Sequence, residues 1–168
     1  IDMDPSYYKC GVHSPYDKNT QISLLRDGKD FNPLHNNCSG KHAGMLATAK
    51  HLGCNLNEYI QLQNPVQKKI VSALEQYTGQ SGFIFGTDGC SAPTPFLSLH
   101  SIAILFQKLA SGDYPVLSRL YDAMVTHPYL VAGRKRFDTD FMEAMSGRAV
   151  TKVGGEAVRG LGIRKKDG

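Results

Sequence analysis

The order of secondary-structure signals along the chain predicts an α+β fold, a helical cluster beside an antiparallel sheet. Three observations carry this. Apolar residues recur at helical spacing in several segments between residues 39 and 145, and the period changes to that of strands after Gly147. The last two strand-like runs are joined by Gly154-Gly155, a tight-turn dipeptide, which makes them an antiparallel pair. Helices first and paired strands last is the α+β order.

Residues 1–37 hold many turn formers, among them Asp4-Pro5, Ser14-Pro15, Asp27-Gly28 and Asn32-Pro33, and read as loop with short strands. A helix follows with Ser39 as N-cap, Leu46, Ala49 and Leu52 on one face, and Gly53 as its closing glycine. Asn64 caps a second helix with Pro65 at its first position. Val66, Ile70, Leu74 and Tyr77 line one side, and Gly79 ends it. Gly82–Phe85 is a short apolar run, read as a strand entering a loop at Thr87–Pro93. Pro95–Ala110 is apolar nearly all round and reads as a central helix, with Phe96, Leu99, Ile102, Ala103, Phe106 and Leu109 as core candidates. Val116, Leu117, Leu120, Tyr121 and Met124 give another helix, stopped at His127-Pro128. Asp138 or Thr139 caps a short helix to Met145. Arg148–Val153 and Glu156–Lys165 are the strands.

The 168 residues are 41% apolar and 20% charged, which suits one globular domain spanning residues 1–168. The net charge of +4 is mild, and its clusters Arg134-Lys135-Arg136 and Arg164-Lys165-Lys166 read as solvated turns. A nucleic-acid binder would show a broader basic stripe threaded with aromatics. No run approaches the ~18 apolar residues of a membrane span, and no signal peptide is evident. Cys10, Cys38, Cys54 and Cys90 allow two disulfides, but the apolar content does not call for staples. Buried, metal-binding or catalytic thiols in a cytoplasmic protein are the expectation.

Three segments carry chemistry. Residues His35–His42 crowd polar groups at a helix start, where free N–H groups and the helix dipole favour an anion or a thiolate. Residues Gly86–Pro93 put an acid, Asp88, two places from a thiol, Cys90. Lys152 stands at a strand end before glycines that let a ligand approach the backbone. From the residues alone, His42, one helical turn beyond Cys38, is the nitrogen donor that would complete a metal site with the thiols.

These segments resemble the zinc-binding asparaginase II family. Asn36-Asn37-Cys38-Ser39-Gly40-Lys41-His42-Ala43-Gly44-Met45-Leu46 is similar to its signature. Cys10-Gly11-Val12-His13-Ser14-Pro15, Asn64-Pro65-Val66-Gln67, Asp88-Gly89-Cys90, His127-Pro128, Val131-Ala132-Gly133 and Arg136-Phe137-Asp138-Thr139 follow in the family's order and spacing. Lys152-Val153-Gly154-Gly155-Glu156-Ala157 is similar to its Lys-x-Gly segment, with the small residues exchanged, and Asn64 stands where histidine is common. The likeness covers essentially the whole chain.

The resemblance implies a fold like those of serine β-lactamases and glutaminases, and hydrolysis of L-asparagine to L-aspartate and ammonia by serine/lysine acyl transfer. It implies zinc held by Cys38, Lys41 and Cys90, with His42 and Asp88 at the substrate and Lys152 in the catalytic-lysine role. The complete enzyme is expected to be a homodimer. The family's Ser-x-x-Lys lies upstream of the segment matched at Cys10, so this chain is expected to be an incomplete part of the domain and inactive alone. Its opening at Ile1-Asp2-Met3 and its close at Asp167-Gly168 in apparent mid-strand agree with that expectation. Ser6-Tyr7-Tyr8-Lys9 has the spacing, but 12 serines and 12 lysines in 168 residues produce about one such spacing by composition alone. Rival readings are a glutaminase, a β-lactamase-like hydrolase, and a zinc-stabilised binding module without catalysis.

Overall fold

The computed structural model describes residues 2–155 and 157–165. Glu156 of the Lys-x-Gly segment, Lys166 of the second basic cluster, and Ile1 and Asp167-Gly168, read above as signs of truncation, lie outside the described residues. The described part is α+β, with seven α-helices and two small antiparallel ribbons. It divides into two compact units, Ile1–Phe96 and Leu97–Gly168.

The first unit holds α1 (Lys18–Arg26), α2 (Ser39–His51), α3 (Pro65–Thr78) and a ribbon of β1 (Phe85–Thr87) and β2 (Pro93–Pro95). Short 3-10 turns at Pro5–Tyr7 and Pro33–His35 fill out the segment expected to contain strands. The unanticipated α1 is capped by Asp17, whose carboxylate accepts from Thr20 N at 2.8 Å, and it buries none of its residues. Helix α3 begins as its sequence requires. Asn64 Oδ1 accepts from Val66 N at 3.0 Å, Pro65 opens the first turn where no N–H is needed, and Gly79 closes it at φ 72°. The core joins Tyr8, Cys10, Met45, Leu46, Ala49, Tyr59, Val66, Cys90 and Ala92.

The second unit contains α4 (Leu99–Ser111), α5 (Pro115–Thr126), α6 (Pro128–Ala132), α7 (Phe137–Ala144), β3 (Ala149–Val153) and β4 (Arg159–Ile163). The central helix starts four residues later than expected because Ser98 caps it, accepting from Ser101 N at 3.0 Å. Strands β3 and β4 pair antiparallel with Lys152 opposite Gly160. The Gly154-Gly155 turn is longer than a two-residue hairpin, since Gly154 N donates to Val158 O and Val158 N to Gly155 O. Leu109, Ala110, Tyr121, Met142 and Val150 form the core. Two glycines of β4 let α4 come close. A Cβ on Gly160 would fall 1.8 Å from the Phe106 ring, and one on Gly162 would fall 2.5 Å from Phe106 O.

Candidate active site

Five of the six residues singled out in the sequence meet in the first unit. Helix α2 begins one residue after Cys38, which occupies the N-cap position without a side-chain cap bond, so Ser39 is the first helical residue and not the cap. Asn36 ties this start down. Its Nδ2 donates to Cys10 O at 2.7 Å and its Oδ1 accepts from Cys38 N at 2.7 Å. His13 braces the same corner, accepting from Asn37 N at 3.2 Å through Nε2 and donating from Nδ1 to Ser14 O at 2.7 Å.

The corner after β1 is built around Asp88. Its Oδ1 accepts from Cys90 N at 2.9 Å, Ala92 N at 3.0 Å and the Cys90 thiol at 2.9 Å. Ser91 takes a left-handed conformation, φ 67°, to complete the turn. Asp88 Oδ2 accepts from Lys41 Nζ at 2.6 Å, which fastens the corner to the start of α2. Burial alone would raise the Asp88 carboxyl, but the bonds from Cys90, Lys41 and Ala92 outweigh it and hold the group well below the usual carboxylate range.

The Cys90 sulfur that donates to Asp88 also borders the core. It lies 3.2 Å from His42 Nε2, and His42 is fully buried. Nδ1 of that ring meets the hydroxyl of Tyr59, also fully buried, and the same hydroxyl accepts from Lys9 N at 2.8 Å. The Cys90 thiol hydrogen goes to the Asp88 carboxylate, which can only accept, so the sulfur accepts from Nε2, and Nδ1 accepts from the phenol. Nε2 thus carries the ring's hydrogen. The donors run in one direction, from Lys9 through Tyr59, His42 and Cys90 to Asp88. Burial pushes Tyr59 up to about 12. Burial and the neighbouring Lys41 charge hold the His42 pKa below its usual value. Burial, reinforced by Asp88, pushes the Cys90 thiol up to about 11.

For zinc, the donor types fit. Cys38 and Lys41 both act on the Cys90 thiol, Cys38 raising its pKa and Lys41 lowering it. Two thiolates are ordinary zinc ligands, whereas a lysine is an unusual one that coordinates only as the neutral amine. No three His, Cys, Asp or Glu side chains gather as a metal-holding group among the described residues. Burial favours the neutral amine of Lys41, but bonds to Asp88 and Cys90 more than offset it and hold the ammonium charged. Both Lys41 and Cys90 must therefore release a proton to coordinate. As its ring is bonded, His42 presents N–H to the sulfur and no lone pair.

Lys152 belongs to the second unit. It is exposed at the end of β3, and its Nζ donates to Val153 O at 2.6 Å. Sequence reasoning missed two residues that organise the first unit's cluster. Tyr59 lies in the irregular stretch between α2 and α3, where no periodicity marks it. Asn36 was visible as part of an Asn-Asn-Cys string, but its capping of Cys38 N was not.

In the first unit a thiol, an imidazole, an ammonium and a carboxylate are bonded together beside a helix start. The family model for L-asparaginase II matches residues 1–168, and the chain belongs to that family. Membership puts it among asparaginase-type hydrolases. No curated protein matches the chain. No helix among the described residues is long and apolar enough to cross a membrane.

Proposed function

We propose that the protein hydrolyses L-asparagine to L-aspartate and ammonia through an acyl-enzyme. The observation that carries this is the bonded cluster of Lys41, His42, Asp88 and Cys90, in a chain matched from residue 1 to 168 by the L-asparaginase II family. A serine outside these residues, the one the family's Ser-x-x-Lys supplies, attacks the side-chain amide carbon. The C–N bond breaks, ammonia leaves with a proton, and water then cleaves the ester to release aspartate. The Lys152 ammonium stabilises the charge that develops on the amide oxygen, or its neutral amine accepts the serine proton.

Asp88 is the one carboxylate of the cluster and serves the substrate's α-ammonium through Oδ2, the oxygen that faces Lys41. His42 fixes the Cys90 sulfur from the buried side and so shapes the pocket wall. Cys38, Lys41 and Cys90 would hold a zinc ion, which would supply Lewis-acid chemistry for orienting the substrate rather than for generating the nucleophile.

The test is ammonia release by the full-length protein from asparagine and glutamine side by side, with Lys152→Ala beside it. Asparagine should be the better substrate. The substitution should lower kcat by ~10²-fold or more, the scale of losing a positioned proton-transfer group. Near-normal turnover in Lys152→Ala would show that this lysine is a solvated strand end.

A further inference from the structure

We infer that Asp138 is the positioning residue for Lys152, one carboxylate that pins the strand on both sides of the lysine. The inference rests on the reading of Lys152 as the catalytic lysine.

Asp138 stands in the first turn of α7, where its sequence suggests a helix cap. It does not act as one. Arg136 occupies the N-cap position, and the Asp138 carboxylate is turned toward β3. Oδ1 accepts from the Thr151 hydroxyl at 3.1 Å and from Arg159 Nη1 at 2.8 Å, and Oδ2 accepts from Val153 N at 3.2 Å. The residue is 2% exposed, and a buried carboxylate persists only when its oxygens are occupied and its charge is paired. Arg159 provides the pairing, and its guanidinium is itself held over the Phe137 ring, 4.1 Å from the centroid.

The ladder shows why these contacts fall where they do. Gly154 N donates to Val158 O and Arg164 N to Arg148 O, so even-numbered residues of β3 bond to β4. The N–H of an odd-numbered residue turns outward, and at Val153 it would be left without a strand partner. Asp138 Oδ2 takes it. Thr151 also presents its hydroxyl to that carboxylate, while sharing it with Gly160 O at 3.0 Å. Residues 151 and 153 are therefore held to α7, and alternation along the strand puts the side chain of Lys152 on the opposite face. There it stands across from Gly160, which has no side chain and is covered by the Phe106 ring. A helix-to-strand clamp serving only stability could grip β3 anywhere along its length. This one grips the two neighbours of the lysine and the residue of β4 paired with Val153.

The experiment is a double-mutant cycle in the full-length protein, with asparagine turnover read as kcat and KM separately. Asp138→Asn removes the charge and one acceptor at nearly constant shape. Thr151→Val removes only the hydroxyl and is the milder variant, and it becomes the deciding one if Asp138→Asn shows no cooperative melt. Misplacing a catalytic group by about 1 Å costs on the order of 10²-fold. Asp138→Asn should thus lower kcat by ~10–100-fold and Thr151→Val by ~3–10-fold, with KM moving less than about 2-fold. In a Lys152→Ala background each should cost less than about 2-fold further, because residues acting through one another are not additive. Full multiplicative losses in that background, or losses confined to KM, overturn the positioning role. Lys152→Ala with near-normal kcat refutes the reading of the lysine itself, and is recognised from that single variant alone.

Discussion

Gly162 offers a test in which two opposing effects of one methyl group can be weighed. In most strand positions an alanine in place of glycine stabilises by about 0.5–1 kcal/mol, because the unfolded chain loses freedom. Here the added Cβ would lie 2.5 Å from Phe106 O and 3.0 Å from the Ala110 Cβ, where about 3.4 Å is the ordinary near limit. The first neighbour is helix backbone, which cannot rotate away as a ring can. Helix α4 would have to retreat from β4 by roughly 1 Å, and overpacking of this kind costs about 1–3 kcal/mol. The clash wins over the entropic gain, for a net loss of about 1–2 kcal/mol. In a chain of this size that lowers Tm by ~2–8 °C. Gly44→Ala in α2 is the internal control. A Cβ there meets nothing within 4 Å, so the helix should gain about 0.5–1 kcal/mol and melt higher. Thermal melts followed by circular dichroism on the three proteins decide the matter. A Gly162→Ala protein melting at or above the parent would mean that α4 does not sit on β4 as closely as the geometry requires.

Zinc content should fall in Cys38→Ser and in Cys90→Ser relative to the parent on elemental analysis, and equal zinc in all three would remove the metal from the reading. The buried His42 predicts a pH effect of definite sign. Its folded pKa is depressed by burial and by Lys41, so the unfolded chain takes up a proton first as the pH falls through ~6.5. Stability is complete above that pH and is lost below it. The urea midpoint should drop between about pH 7.5 and 5.5, and His42→Gln should lessen the drop; an unchanged slope in the variant would show that another group sets it.

The legible parts of the fold were those whose signals are local. Asn64, Pro65 and Gly79 delimit α3 because cap, first-turn proline and closing glycine each act within a few residues. The paired strands after Gly147 were legible from their change of period. Helix α1 was not, because it lies on the surface without a buried face, although Asp17 before it and Asp27-Gly28 after it are the marks of its ends. The ribbon Phe85–Thr87 with Pro93–Pro95 was read one strand short, since prolines and a three-residue length disguise β2. In the site, the segments holding Cys38, Lys41, His42, Asp88 and Cys90 could be chosen from residue type and spacing. Their wiring could not. Whether Cys90 turns toward His42, and whether Asp138 caps α7 or grips β3, depends on partners 48 and 13–21 residues away.

The two units solve the same physical problem with the same device. A short segment that carries a candidate site residue has outward N–H groups that no strand or helix satisfies. In each unit a single aspartate collects them. Asp88 takes the N–H of Cys90 and of Ala92 and pairs its charge with Lys41. Asp138 takes the N–H of Val153 and the Thr151 hydroxyl and pairs its charge with Arg159. Aspartate suits the role because its short stem leaves both oxygens near the backbone, where a glutamate would overshoot. The pairing with a cation then decides what else the carboxylate can do. Arg159 cannot give up its proton, so Asp138 is committed to structure. Lys41 can, which the proposed zinc site at Cys38, Lys41 and Cys90 would require.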